Sequence, residues 1–93
     1  SIMAVEKIKI GDTAEGHHRY EVRVNHKVQG VILAIMELVA EGSDRLRFKH
    51  YVLERDYGKD SPQIFTDIQE AIFECAKRNG RIIKEKPEKK KKR

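Results

Sequence analysis

The chain has little of what stabilises or anchors many small proteins. It contains one cysteine, no tryptophan and two prolines in 93 residues. The lone Cys75 excludes a disulfide framework and a multi-cysteine zinc site. The longest apolar run, Val31 to Met36, is far shorter than the ~20 residues that a membrane-spanning helix needs. Since no signal-peptide pattern precedes Ile10, we expect an intracellular protein, cytoplasmic or, in a eukaryote, nuclear.

Most of the chain has no excess of positive or negative charge. The formal net charge is +5, from 20 basic and 15 acidic residues. Residues 84–93 hold seven of the bases and two of the acids, so residues 1–83 carry 13 of each. We therefore predict one domain over residues 1–83 and a disordered basic tail over residues 84–93. Any electrostatic role of the domain must come from how its charges are arranged.

Local patterns predict three strands and one helix. Residues 4–10, 19–25 and 46–54 alternate apolar and polar side chains, which is typical of half-buried strands. After a loop over residues 57–63, Thr66 and Gln69 form a capping box. The apolar residues that follow at helical spacing are Ile68, Ile72, Cys75 and Ala76. Gly80 suits the end of this helix, and residues 81–83 are compatible with a short further strand.

The segment 31–40 fits two structures. Its apolar stripe suits a helix, whereas an all-round apolar run after a glycine suits a buried central strand. We favour a strand because the short turn at residues 41–44 joins it to another strand-like run, as in a hairpin. Residues 26–30 are then a connection. The predicted fold is α+β, a four-stranded antiparallel meander followed by one helix (ββββα). If residues 28–41 are helical, it becomes ββαβα.

Alternation along the strands predicts a basic sheet face. The side chains placed under the helix are Ile8, Ile10, Tyr20, Val22, Val24, Leu46, Phe48 and Val52. The opposite face then carries Lys7, Lys9, Arg19, Glu21, Arg23, Arg45, Arg47, Lys49 and Tyr51. Such a surface can hold phosphates, with Tyr51 stacking on an unpaired base. The alternative is an ordinary solvated face.

Two further segments suggest partners. The tail bases Lys89, Lys90, Lys91, Lys92 and Arg93 predict affinity for polyanions, with a merely solubilising terminus as the alternative.

One helix covers only one face of a small sheet, so we expect a second copy of the chain to cover the other. The predicted homodimer interface comprises Val31, Leu33, Ile35 and Val39.

Residues with catalytic or metal-binding chemistry do not form a recognisable set. The adjacent His17 and His18 point apart in an extended chain, and His26 and His50 lie elsewhere. Cys75 lies on the apolar side of the predicted helix, as a core residue does. We find no phosphate-binding glycine loop and no nucleophile elbow. We therefore expect no catalytic residues, no metal, no cofactor and no enzyme activity.

The order of segments resembles a PUR repeat and is similar in layout to whirly-type single-strand binders. The resemblance rests on Asn25 to Glu37, the turn Glu41 to Asp44, the strand at residues 46–54 and the later helix. It covers roughly residues 4–79. It implies a β-sheet that grips single-stranded DNA or RNA, commonly as a dimer. The exposed aromatic residues that we expect for such a sheet are Tyr51 and Tyr57.

Two function classes follow from these patterns. The first is a non-enzymatic module that binds single-stranded DNA or RNA, with no membrane partner. The alternative is a small protein-interaction adaptor or inhibitor, of the phage or accessory-factor type. It would dock on a larger partner through the apolar strand at residues 31–40 or through a sheet edge.

Overall fold

Four consecutive strands form one antiparallel sheet, and a single helix follows them. The computed structural model describes residues 4–79. Its strands are β1 (Val5–Asp12), β2 (His18–Val24), β3 (Lys27–Leu38) and β4 (Leu46–Leu53). A 3-10 turn (Glu54–Asp56) and helix α1 (Ile68–Arg78) follow. The strands lie in the order β1-β2-β3-β4, so the chain has the predicted ββββα arrangement.

The segment 31–40, which the sequence allowed to be either a helix or a strand, lies largely in the inner strand β3. It pairs with β2 on one side and β4 on the other, so both of its faces are available for burial. Ile32 and Leu33 point to opposite faces and are 0% and 1% exposed. The helical alternative (ββαβα) is therefore wrong. The connection predicted at residues 26–30 is also wrong, because Asn25 and His26, with φ of 51° and 69°, complete a two-residue hairpin turn.

Helix α1 confirms the helix that the apolar spacing predicts, with a different cap. The carboxylate of Asp67 accepts a hydrogen bond from the Gln69 backbone N–H at 2.9 Å. Asp67 is thus the N-cap, and the prediction of Thr66 is wrong because the helix begins at Ile68. Gly80, the possible strand at residues 81–83 and the tail at residues 84–93 lie outside the described residues.

The hydrophobic core lies between α1 and the end of the sheet nearest the Asn25–His26 turn. Val22, Ile32 and Leu53 from three strands meet Ala71, Ile72 and Cys75 of the helix. This confirms that Tyr20, Val22 and Val24 point to the helix side, since they alternate along β2. Tyr51 and Ile68 pack at the margin of this core. The helix therefore covers one end of the sheet face and leaves the other end open.

The opposite face of the sheet is closed over its centre by the chain itself. Leu33 and Val52 pair on this face and are only 1% and 2% exposed. The Arg19 guanidinium of β2 reaches Glu54, just beyond β4, at 2.6 Å, so this ion pair crosses β3. The buried His17 ring meets Tyr57 edge-on, with 5.7 Å between ring centroids. Side chains from the chain's own turns therefore supply much of the cover that a second copy was predicted to give.

Candidate nucleic-acid interface

Strand β1 places its lysines on the helix side of the sheet. Lys7 lies opposite Val22, and Lys9 lies opposite Tyr20. Side chains directly opposite each other in an antiparallel pair share a face. The predictions that Lys7 and Lys9 face away from the helix and that Ile8, which lies opposite Glu21, is under it are therefore wrong; Ile10 is the extra residue of a bulge between Lys9 and Gly11. The physical reason is that β1 is an edge strand exposed on both faces, so its apolar alternation does not report which face is buried.

A β-bulge in β4 reverses the alternation within that strand. Phe48 pairs with Met36 and His50 pairs with Ile35, which leaves Lys49 as the extra residue. Phe48 and Tyr51 consequently lie on the same face, the helix side, and Val52 lies on the other. The predictions that Tyr51 faces away from the helix and that Val52 lies beneath it are wrong for this reason.

The arginines that do face away from the helix are already paired with carboxylates. Arg19 binds Glu54 at 2.6 Å, Arg23 binds Glu21 at 2.8 Å and Arg47 binds Glu37 at 3.0 Å. Lys49 lies 3.9 Å from the same Glu37. Among residues 4–79, Arg45 is the one predicted base on this side without an ion pair. The predicted arrangement, a single surface of unneutralised bases, is therefore wrong.

Aromatic side chains gather instead on the helix side, at the end that α1 leaves uncovered. We call this surface the open face; it comprises His18, Tyr20, Ala34, Met36, Phe48 and Tyr51. The rings of Phe48 and Tyr51 have centroids 4.6 Å apart at an interplanar angle of 50°. Phe48 is 44% exposed, and Tyr20 and Tyr51 are half-buried. The open face thus offers flat apolar groups to solvent on a rigid sheet.

The charges beside the open face are mostly basic. The Lys7 ammonium lies 4.9 Å from the centroid of the Tyr20 ring, and it makes no ion pair with any described residue. Lys9 lies 3.3 Å from Asp12, whose carboxylate also contacts His18 Nδ1 at 2.8 Å. These two contacts, that of His18 first, lower the pKa of Asp12. Lys7 is therefore the cation most available to a ligand.

Tyr51 stays protonated at neutral pH. Burial raises the pKa of its hydroxyl, and the nearby Tyr20 and the Asp67 carboxylate raise it further. Tyr20 lies opposite Ile32 and Tyr51 lies opposite Ala34, so the two tyrosines stand on the same face of the sheet. A neutral phenol can both stack and donate a hydrogen bond. These groups are suited to contacts with flat or polar groups.

Sequence reasoning missed Tyr20 and Phe48 as site residues. Both were predicted to lie inward, and both do point to the helix side. Helix α1, with 11 residues, is too short to cover Tyr20 and Phe48. The bulge in β4 brings Tyr51 beside them. No signal in the sequence marks Lys49 as the extra residue, because the bulge follows from the register of β4 with β3.

The predicted dimer interface lies along β3 on the face of the sheet away from the helix, where Val31, Leu33 and Ile35 alternate. Leu33 is buried within the single chain, Val31 and Ile35 are half-buried, and Val39 is 37% exposed beyond the end of β3. Leu33 therefore needs no second copy to cover it. The homodimer stays a prediction, and the tail residues 89–93 lie outside the described part of the chain.

Residues 4–79 contain no group of three or more metal-ligating side chains, and no helix among them is long and apolar enough to cross a bilayer. Cys75 is buried, and this burial raises the pKa of its thiol.

No family model, curated protein or solved structure matches this chain. The resemblance to PUR repeats therefore remains a prediction from the order of its segments.

Proposed function

We propose that this protein is a non-enzymatic module that binds single-stranded DNA or RNA on the open face. One observation carries the proposal: Tyr20, Phe48 and Tyr51 present their rings on one side of the sheet, next to the Lys7 ammonium, which forms no ion pair within residues 4–79. Aromatic rings on a sheet are stacking platforms for nucleobases, and adjacent bases track the backbone phosphates. Together they form the minimal arrangement for sequence-tolerant single-strand binding.

The ligand is single-stranded because stacking needs an unpaired base. In a duplex the flat surfaces of the bases are already stacked on each other, and only their edges are accessible. An extended strand can instead lay successive bases on Phe48, Tyr51 and Tyr20 while its phosphates pass Lys7 and Lys9. The basic residues 84–93 add affinity that does not depend on sequence.

The arginines on the opposite face have a smaller part in this proposal than the sequence suggested. For Arg19, Arg23 or Arg47 to hold a phosphate, each must first leave its carboxylate partner. The charge-assisted hydrogen bonds of the half-buried Arg19–Glu54 pair, in particular, resist replacement by contacts with a phosphate. We therefore assign the primary contacts to the open face.

The aromatic contacts are tested by removing one exposed ring at a time. Phe48→Ala is compared with Tyr57→Ala, because Phe48 is 44% and Tyr57 43% exposed but only Phe48 lies on the open face. Binding of a fluorescein-labelled thymidine oligonucleotide is followed by fluorescence anisotropy. We expect Phe48→Ala to raise Kd about tenfold, since stacking contributes ~1–3 kcal/mol per base, and Tyr57→Ala to change it less than about twofold. Equal effects, or no binding by the unchanged protein, would overturn the proposal.

The phosphate contacts are tested with a second matched pair. Lys7→Gln removes a cation that has no carboxylate partner among the described residues, whereas Arg47→Gln removes one that Glu37 already neutralises. We expect the Lys7 variant to bind more weakly and to show a shallower dependence of Kd on salt. Deleting residues 87–93 should weaken binding in the unchanged protein and in the Phe48→Ala variant by the same factor. If the deletion alone abolishes binding, the open face is not the site.

A further inference from the structure

Strand β1 has an edge that no strand within residues 4–79 occupies. It pairs with β2 on one side, and no other described strand lies beside it. The Asn25 N–H donates to the Ala4 carbonyl at 2.7 Å, and antiparallel ladders alternate. Ala4, Glu6 and Ile8 therefore bond to β2, and the backbone N–H and C=O groups of Val5, Lys7 and Lys9 point outward. This is a row of donors and acceptors at the spacing that an added strand needs.

The two faces of this edge have different chemistry. Lys7 and Lys9 stand on the helix side, whereas Glu6 and the 37% exposed Ile8 stand on the other side. A strand added along Lys7, Ile8 and Lys9 would meet alternating cationic and aliphatic neighbours. The complementary strand carries acidic side chains at every second position and aliphatic side chains between them.

The same chemistry disfavours two occupants that this chain could supply. In the registers centred on Glu6, Lys7, Ile8 or Lys9, a second copy pairing antiparallel through β1 around a two-fold axis sets Glu6 opposite Glu6, Lys7 opposite Lys7 or Lys9, or Lys9 opposite Lys9. Like charges directly opposite each other destabilise such a pair, which is how natural edge strands avoid self-association. The C-terminal residues 84–93 hold seven bases and would repel the same lysines.

We propose that the β1 edge binds an extended, acidic segment of a partner protein by adding it as a fifth strand. The backbone of Val5, Lys7 and Lys9 supplies the hydrogen bonds, and the two lysines select acidic over basic segments. The backbone hydrogen bonds of this edge are separate from the open face, but Lys7 and Lys9 serve both proposals, so an acidic segment and a nucleic acid would compete for these two lysines.

The proposal is tested with two synthetic peptides of eight residues. One alternates glutamate with valine and the other alternates lysine with valine; each is labelled and titrated with the full chain by fluorescence anisotropy. We expect the acidic peptide to bind at least tenfold more tightly than the basic one. Equal binding, or no binding of the acidic peptide at about 1 mM, would overturn the proposal.

Variants of the edge separate this proposal from the previous one. Lys7→Gln removes the charge, whereas Lys7→Pro also removes the outward N–H without touching the ladder to β2. For the acidic peptide we expect Lys7→Pro to weaken binding at least fivefold more than Lys7→Gln, but for the oligonucleotide the two variants should be equal. The double variant Lys7→Glu/Lys9→Glu, which keeps the backbone intact, should prefer the basic peptide. If its preference does not reverse, the lysines do not select the partner.

Discussion

Gly30 sets how closely helix α1 approaches the sheet, and replacing it with alanine should destabilise the fold strongly. Its φ of +154° lies in a region that side chains rarely adopt. A Cβ at this position would lie 2.9 Å from the Sγ atom of Cys75, closer than non-bonded atoms tolerate. Backbone strain costs about 1–3 kcal/mol and overpacking of a core a similar amount, so we expect Gly30→Ala to lower the free energy of unfolding by about 3 kcal/mol.

The assay is urea unfolding followed by far-ultraviolet circular dichroism, with a thermal melt beside it. A loss of 3 kcal/mol corresponds to a fall in Tm of roughly 12–24 °C for a domain of this size. Gly42→Ala is the matched control, because Gly42 has a φ of +83° but nothing within 4 Å of the added Cβ. It carries the strain without the clash, and we expect it to cost about 1 kcal/mol.

A double variant separates the clash from the strain. Cys75→Ala removes the sulfur that the new methyl group meets, so Gly30→Ala should cost less in the Cys75→Ala background than in the unchanged protein. The recovered part measures the clash and the remainder measures the backbone strain. If Gly30→Ala costs no more than Gly42→Ala, or if the Cys75→Ala background recovers nothing, the close approach of helix and sheet at this point is refuted.

Two further predictions concern polar groups that hold the loops. Burial alone would raise the pKa of Asp56, but hydrogen bonds from Arg78 and Lys59 outweigh it and lower that pKa below 3.8. The ionised carboxylate thus stabilises the fold above pH 3.8, and this contribution is lost as pH falls through the lowered pKa. Urea unfolding at several acidic pH values should show a shallower loss for Asp56→Asn, and an unchanged slope would contradict the pairing. The Met36 N–H donates to His17 Nδ1 at 3.0 Å, so His17→Ala should cost about 1–2 kcal/mol. His17→Asn, which keeps an acceptor, should cost less in the same assay, and equal losses would show that the hydrogen bond does not matter.

The elements of this fold were predictable because their signals are local. The apolar spacing from Ile68 to Ala76 is met by a helix regardless of what it packs against. The turn at residues 41–44 allows only a short connection, and this constraint correctly favoured a strand for the all-apolar segment before it. The helix cap moved by one residue because Thr66 and Asp67 have similar capping ability, and only the backbone path distinguishes them.

The faces were less predictable because they depend on pairing. Along β4 the sequence shows no mark that identifies Lys49 as the extra residue, and the bulge follows from the register with β3. Along β1 the apolar residues alternate correctly but lie on the exposed side, since an edge strand has no neighbour to bury them. These two effects moved Tyr51, Lys7 and Lys9 to the other side of the sheet from the one predicted. The candidate site therefore contains several of the expected residues in a different arrangement.

Because Lys49 is an extra residue in β4, simple alternation from Phe48 does not predict the face on which Tyr51 lies. Removing Lys49 would leave Phe48, His50 and Tyr51 in strict two-residue alternation in the same register with β3, so Phe48 and Tyr51 would still share the helix side. A regular ladder that kept Lys49 would instead put these two rings on opposite faces. The bulge therefore lets a strand of this length present both rings on one surface.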